Sequence, residues 1–304
     1  MIDIVLCTDE KYAPYCATVI MSAIQNTNSP SSLHFHILTL DLKQKTRELL
    51  IELAQEHSSV LTVYDADYGF FSGLHIDFGR FGVSALLRLY MDHYLPLSCK
   101  KVIYLDCDLL IHGDLSELFE QDMNGYSISA VYDLCSPEQF KARDYEYFNS
   151  GVLMIDLVQW RKHNVAEQAM TWLSNCTSDS KYPDQDALNE VFKGNWKKLD
   201  ICWNMQPAAY VAYEKNYDYV DSEQIMLSIR KPKITHFIGK VKPWHAKCAH
   251  PLQTDFLYYS CLTPWPVTVQ QIRSTLSLTE KIRLYTKLPK IIRRRRLMTL
   301  SSCD

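Results

Sequence analysis

Two carboxylates stand one residue apart where an apolar run ends: Asp106 and Asp108 in YLDCDLLIHGDL, residues 104–115. In an extended chain residues i and i+2 point the same way. Both carboxylates would then aim at one place, with Cys107 facing the opposite side. Two like charges so close repel each other unless a cation lies between them. A hard divalent ion, Mn(II) or Mg(II), meets that need because such ions prefer oxygen ligands. The carboxyl end of a strand is also where open α/β sheets bind ligands. The plain alternative is a solvated turn, with Asp108 or Asp114 capping a short helix. Spacing alone leaves both open, since the same pattern recurs at Asp65/Asp67 and Asp184/Asp186. The stretch HAKCAH, residues 245–250, offers zinc ligands but lacks a clear fourth partner.

The elements that must position these residues can be read from periodicity. IDIVLC (2–7) is a continuous apolar run, consistent with a buried strand. Tyr15, Val19, Ile20, Ala23 and Ile24 then recur at helical spacing. LHFHILTL (33–40) alternates as a strand does, KQKTRELLIELAQEH (43–57) has helical periodicity, and VLTVY (60–64) is again strand-like. This alternation predicts an α/β fold with a parallel sheet and right-handed crossovers. A loop is expected at 68–82, a helix over VSALLRLYMDHYL (83–95) and a strand over KVIYLD (101–106). Strands are expected over YSISAVYD and FNSGVLMID, helices over 156–176 and 184–193, and a late strand over KITHFIG (233–239). Nine glycines with no G-x-G argue against a dinucleotide fingerprint or a P-loop. Any bound phosphate must therefore be held by metal and side chains.

The 304 residues are 47% apolar, enough for a sizeable core. The net charge is −3, unevenly placed: residues 281–302 carry eight Lys or Arg and no acid, so the body is acidic and the tail basic. The tail mixes Ile, Leu and Tyr with its cations, a pattern suited to an anionic membrane surface; the plain alternatives are a disordered solubilising tail or a nucleic-acid patch. Pro289 is expected to split it into two helical pieces. Ten cysteines without a C-x-x-C pair read as reduced, packed thiols. The start MIDIVLCTDEK is acidic and too short for a signal peptide, and no apolar stretch approaches 18 residues. A cytoplasmic protein, peripheral on the inner membrane, is expected.

Several stretches add specific company to Asp106 and Asp108. They are IVLCTDEKYAPYCATVIMSA, Arg88 in SALLRLY, YFNSGVLMIDLVQWR (147–161), YPDQDALNEV (182–191) and ITHFIGKVKPWH (234–245). In order and spacing the chain resembles glycosyltransferase family 8 over about residues 2–250. It looks most like the bacterial lipooligosaccharide and lipopolysaccharide galactosyl- and glucosyltransferases. The resemblance implies a GT-A fold: a Rossmann-like, mostly parallel sheet merged with an acceptor-binding half. A transferase domain over 1–265 follows from that reading, and the basic-amphipathic pattern of the tail adds an expected helical membrane-association segment over 266–304. The implied activity is retaining transfer of a hexose, galactose before glucose, from a UDP-hexose to a lipid-linked oligosaccharide acceptor of lipopolysaccharide or lipooligosaccharide. Mn(II) is the implied cofactor, with Mg(II) as substitute, and no nucleic-acid partner is expected.

By the same resemblance Asp106, Asp108 and His236 are the metal ligands. Cys7, Thr8, Asp9, Tyr12, Asp106, Cys107, Gly239, Lys240, Lys242 and Trp244 line the nucleotide. Arg88, Asp133, Asn149, Gly151, Asp184 and Gln185 hold the donor sugar, and Gln185 and Asp184 lie nearest the chemistry. Lys11 and Lys240 depart from the family pattern, which bears on the ribose and phosphate contacts. Two rival readings stand beside this one: a non-catalytic nucleotide-sugar-binding module and a phosphatase of the haloacid-dehalogenase type. The latter commonly has Thr or Val where this chain has Leu110.

Overall fold

The apolar runs become nine strands among the described residues: β1 (Ile2–Cys7), β2 (Leu33–Thr39), β3 (Val60–Asp65), β4 (Lys101–Leu105), β5 (Leu109–Ile111), β6 (Ile128–Tyr132), β7 (Phe148–Asp156), β8 (Lys197–Lys198) and β9 (Ile234–His236). The structure, a computed structural model, describes residues 1–71, 83–135, 137–176 and 182–299. Most of the loop expected at 68–82 therefore lies outside the described residues. The chain divides into two units. One comprises Met1–Ala13, Thr27–Cys107 and Leu115–Leu199; the other comprises Pro14–Asn26, Asp108–Asp114 and Asp200–Asp304.

The first unit is built on a seven-stranded sheet in the order β3-β2-β1-β4-β7-β6-β8. Every pairing is parallel except those of β7, which runs antiparallel to β4 and β6. The parallel sheet read from the strand–helix alternation thus gains one reversed strand, making it mostly parallel. That reversal positions the site: β7 begins where β4 ends, and the Asp106 N–H donates to Gly151 O at 2.9 Å. Phe148 to Ile155 are all buried, as expected for an interior strand covered on both faces. Helix Gln44–Glu56 buries Thr46, Leu50, Leu53 and Ala54. Tyr104, Phe148 and Trp160 anchor the core.

Three local expectations change in detail. Residues 83–95 are a 3₁₀ stretch over Val83–Tyr90 followed by one α turn over Met91–Tyr94. The helix over 156–176 is two helices, Leu157–Lys162 and Val165–Asn175, broken where Asn164 adopts a left-handed backbone with φ 49°. Asn tolerates that conformation because its side chain is short and polar. Asp106–Asp108 is not extended: β4 stops at Leu105 and a turn over Cys107–Asp108 leads into β5. The physical reason is a change of partner, since β4 pairs within the first unit and β5 pairs with β9 in the second.

In the second unit β5 and β9 form an antiparallel pair with Leu109 opposite His236. Around it lie helix Ala13–Gln25 from its second residue onward and helices Pro207–Lys215, Ser222–Arg230 and Gln253–Ser260. The basic segment forms helices Leu278–Tyr285 and Leu288–Thr299. Pro289 sits in the first turn of the latter, where its missing N–H costs nothing. Arg294 makes a paired contact with Glu214, and Arg295 with Asp255. No helix among the described residues is long and apolar enough to cross a membrane.

Candidate active site

The first unit gathers charges at the carboxyl end of β4. Arg88, buried in its 3₁₀ turn, donates Nη2 to Asp106 Oδ1 at 2.8 Å and places Nη1 3.2 Å from Asp184 Oδ2. Its other donors reach Ala85 O, Ser150 O and Ser150 Oγ. The guanidinium lies 4.5 Å from the Tyr104 ring centroid, and the Tyr104 hydroxyl donates to Asp106 Oδ1 at 2.8 Å. Burial alone would favour neutral Arg88, but the Asp106 and Asp184 carboxylates outweigh it and push its pKa further up. At Asp184 burial wins: its carboxyl is raised, against Arg88 and with help from Asp106. A lone charge on an apolar helix thus proves to be the clasp between two carboxylates.

Gln185 is held at both ends of its amide. Its Nε2 donates to Asp133 Oδ2 at 3.0 Å, and its Oε1 accepts from Asn149 Nδ2 at 3.1 Å and Ser150 N at 3.0 Å. Asn149 Oδ1 in turn accepts from Gly151 N. The structure therefore brings Arg88, Asp106, Asp133, Asn149, Gly151, Asp184 and Gln185 into one network, joined by helix Pro183–Phe192, β7 and the end of β4. Asp186 is elsewhere, bonded to the Tyr147 hydroxyl, because residues i and i+2 diverge on a helix. Cys7 and Thr8 are buried at the end of β1, where Cys107 Sγ donates to Cys7 O at 3.3 Å. Asp9 Oδ1 accepts from Tyr12 N at 2.7 Å, so it opens the following turn.

In the second unit Asp108 and His236 meet because β9 is in register with β5 and Phe237 N donates to Asp108 O. His236 Nε2 lies 3.2 Å from Asp108 Oδ1, while Nδ1 is 3.0 Å from Asn204 Oδ1. Lys242 Nζ contacts Asp108 Oδ2 and donates to Phe237 O at 2.9 Å. Burial opposes ionisation of Asp108, yet Lys242 and His236 outweigh it and hold its carboxyl well below the usual range. Gly239 has φ +118°, a left-handed conformation that favours glycine. Lys240 is exposed. Trp244 stacks on Tyr15 with centroids 3.6 Å apart. His245, Cys248 and His250 do not assemble as a metal-ligand set among the described residues.

Three participants were not singled out from sequence. Tyr104 lies two residues before Asp106, a spacing that could have suggested a shared face. Ser150 sits inside the FNSGV stretch yet serves Arg88, Asp184 and Gln185. Asn204 has no local signal, since its partner is 32 residues away.

A carboxylate turn at a sheet's carboxyl edge, a clasped polar network and a His-Asp-Lys cluster are the geometry against which known proteins can be compared. The family model described as glycosyl transferase family 8 matches residues 3–248. The chain belongs to that family. This family 8 chain is 28% identical to a lipopolysaccharide 1,2-glucosyltransferase of Escherichia coli, over 84% of its own length and 77% of the relative's. It is 25% identical to a lipopolysaccharide 1,3-galactosyltransferase of Salmonella typhimurium, over 87% and 81%. Its fold matches the crystal structure of the galactosyltransferase LgtC in complex with donor and acceptor sugar analogs, with TM-score 0.76 and 24% identity, over 90% of this chain and all of that one. The family 8 chain is thus a glycosyltransferase with a GT-A fold. Enzymes of this family bind a nucleotide-sugar donor and a glycan acceptor. They generally use a divalent metal, for which Asp106-x-Asp108 offers two carboxylates.

Proposed function

We propose that this glycosyltransferase is a retaining hexosyltransferase. It moves galactose, or secondarily glucose, from a UDP-sugar to a lipid-linked glycan of lipopolysaccharide or lipooligosaccharide. Asp106, Asp108 and His236 would hold Mn(II), or Mg(II) in its place. The observation that carries the reading is the orientation of His236. Its Nε2 lies 3.2 Å from Asp108 Oδ1, while Nδ1 faces Asn204 Oδ1 at 3.0 Å. An imidazole whose far nitrogen is fixed by a polar partner, with a carboxylate beside its near nitrogen, is the arrangement usual for metal-binding histidines. The donor set of two carboxylates and one imidazole fits Mn(II). When bound, that ion supplies Lewis acidity to the departing diphosphate.

The remaining roles belong to the chain. Lys242 reaches Asp108 from the loop that begins at Gly239. With a nucleotide bound, its ammonium would turn to the diphosphate and stabilise the charge that departure concentrates there. Tyr12 offers a ring to the base, Asp9 an acceptor for its imide N–H, and Cys7, Thr8 and Cys107 line the same edge. The Arg88 clasp, Asp133, Asn149 and Gln185 would orient the sugar hydroxyls.

Retention through a double displacement requires a carboxylate nucleophile. Gln185 is an amide whose oxygen already accepts from Asn149 and Ser150. Asp184 is committed to Arg88 and Ser150. Front-side attack fits better: the acceptor hydroxyl enters on the face from which UDP leaves, and its proton passes to the departing phosphate.

The test offers UDP-galactose, UDP-glucose and UDP-N-acetylglucosamine with Mn(II) and follows slow hydrolysis without acceptor. Asp106→Ala and Asp108→Ala should abolish metal-dependent turnover, and Gln185→Ala should retain measurable activity. Hydrolysis that is indifferent to chelation would defeat the metal role. A trapped glycosyl–Asp184 adduct would replace the front-side mechanism.

Membrane attachment through the basic segment belongs to the same reading. Leu278, Ile282 and Tyr285 stand exposed at helical spacing beside the exposed Lys281, Arg283 and Lys287. Full-length protein should sediment with anionic liposomes more strongly than a version ending at Thr279. Equal sedimentation removes this part of the proposal.

A further inference from the structure

The first unit also gathers side chains of metal-ligating type at the opposite end of β4 from Asp106. Asp3 on β1 is in register with His34 on β2, and His36 lies two residues along on the same face. His36 Nε2 is 2.9 Å and His34 Nδ1 3.5 Å from the same oxygen, Asp3 Oδ1. Cys99, in the loop before β4, brings a buried thiol to this group. One ligand atom from each of Asp3, His36 and Cys99 lies within 4.8 Å of the others. We propose that Asp3, His34, His36 and Cys99 form a structural transition-metal site of the zinc type.

The orientation of the two rings supports this. His36 turns its outer nitrogen, Nδ1, to the Tyr64 hydroxyl at 3.1 Å, and His34 turns Nε2 to Thr62 Oγ1 at 2.9 Å. Both partners are side chains of β3. Each imidazole is thereby held with its inner nitrogen aimed at Asp3, the arrangement in which outer partners fix a ligating histidine. The ring centroids are only 3.9 Å apart, so the two imidazoles converge rather than splay.

The cysteine loop is equally fixed. Arg161 donates to the carbonyls of Cys99, Leu95 and Pro96, and Cys99 N donates to Pro96 O. One sulfur, two imidazole nitrogens and one carboxylate oxygen would give four protein ligands, the count of a structural rather than a catalytic zinc centre. Bond lengths of about 2.0–2.3 Å would place tetrahedral ligand atoms roughly 3.5 Å apart, so the Asp3, His36 and Cys99 atoms, all within 4.8 Å of one another, would draw inward on binding. Burial and Asp3 push the Cys99 thiol up to about 12. Metal binding therefore forms an S–metal bond as the thiol proton leaves to solvent. Such a centre would tie β1, β2 and the loop into β4 together at the amino-terminal edge of the sheet.

Cobalt(II) is the probe, because a thiolate ligand gives it an ultraviolet charge-transfer band. Chelator-stripped full-length protein, kept in excess Mg(II), should bind one equivalent with that band. Zinc should displace the cobalt and raise the melting temperature. Cys99→Ser, nearly isosteric, should lose the band and the zinc-induced shift. His34→Gln, at the half-buried rim, should weaken zinc binding at least tenfold and remains informative if the cysteine variant folds poorly. Asp108→Asn should leave the band intact, which separates this site from the one proposed for catalysis. A wild-type protein without the band, or a band equally strong in Cys99→Ser, overturns the assignment and leaves an Asp3–His36 hydrogen bond only.

Discussion

The same carboxylate pattern follows β3 and β4, and the two copies have opposite fates. Asp65 closes β3 with its side chain 71% exposed beside Arg47, and the exposed Asp67 accepts from Gly69 N in a local turn. Asp106 and Asp108 follow β4 with side chains only 22% and 13% exposed. β3 is the edge strand, whereas β4 lies between β1 and the reversed β7. An edge strand ends in water, which screens like charges. A central strand ends against its neighbours, and each carboxylate there must find a fixed cation. Arg88 answers Asp106 and Lys242 answers Asp108. The motif is the same; the position of its strand in the sheet decides whether its carboxylates are exposed or enclosed.

That contrast breaks most readily in an activity assay. Asp108→Ala should lower metal-dependent transfer by about 10²–10³-fold or more, the usual cost of removing a group that stabilises developing charge. Asp67→Ala should leave the rate within about twofold, since exposed groups away from the chemistry matter little. Comparable losses from both variants would refute the distinction.

Stability tests the same difference more finely. Arg88→Met leaves Asp106 and Asp184 without their buried cation and should cost about 3–5 kcal/mol in urea unfolding. Arg47→Met removes a pair whose acid is exposed and should cost less than about 1 kcal/mol.

The smallest effect is in pH dependence, measured without metal. The Asp108 carboxyl is depressed in the fold, so its contribution is present above the unfolded value of about 3.9 and is lost as pH falls below it. Asp108→Asn should therefore flatten the acid limb of the stability curve. Asp184 is raised, chiefly by burial, so its ionisation costs stability as pH rises from the unfolded value through the folded one. Asp184→Asn should steepen the acid limb. Parallel curves for the two variants would show that the two carboxylates share one environment.

Much of this was legible in the sequence because it is local. Apolar runs and helical spacing located β1, β2, β3, β4 and β7 to within a residue or two, since side-chain period follows backbone geometry. The reversal of β7 was not legible, because an interior strand is apolar in either direction. Arg88 stood out as a charge among leucines, but its role as a clasp required Asp106, Ser150 and Asp184, the second of them 62 residues away. Asp106 and Asp108 were expected on one extended strand, and a turn over Cys107–Asp108 carries them instead.

By itself the sequence determined the strands, the order of the motifs and the family to which the chain belongs. All of these rest on residue type and spacing along the chain. The tertiary structure decided which carboxylates are buried and which cations and histidines face them. Those partners lie up to 134 residues apart, as Asp108 and Lys242 do. The energy of a charge depends on what surrounds it in space, and the order of residues does not by itself specify those surroundings.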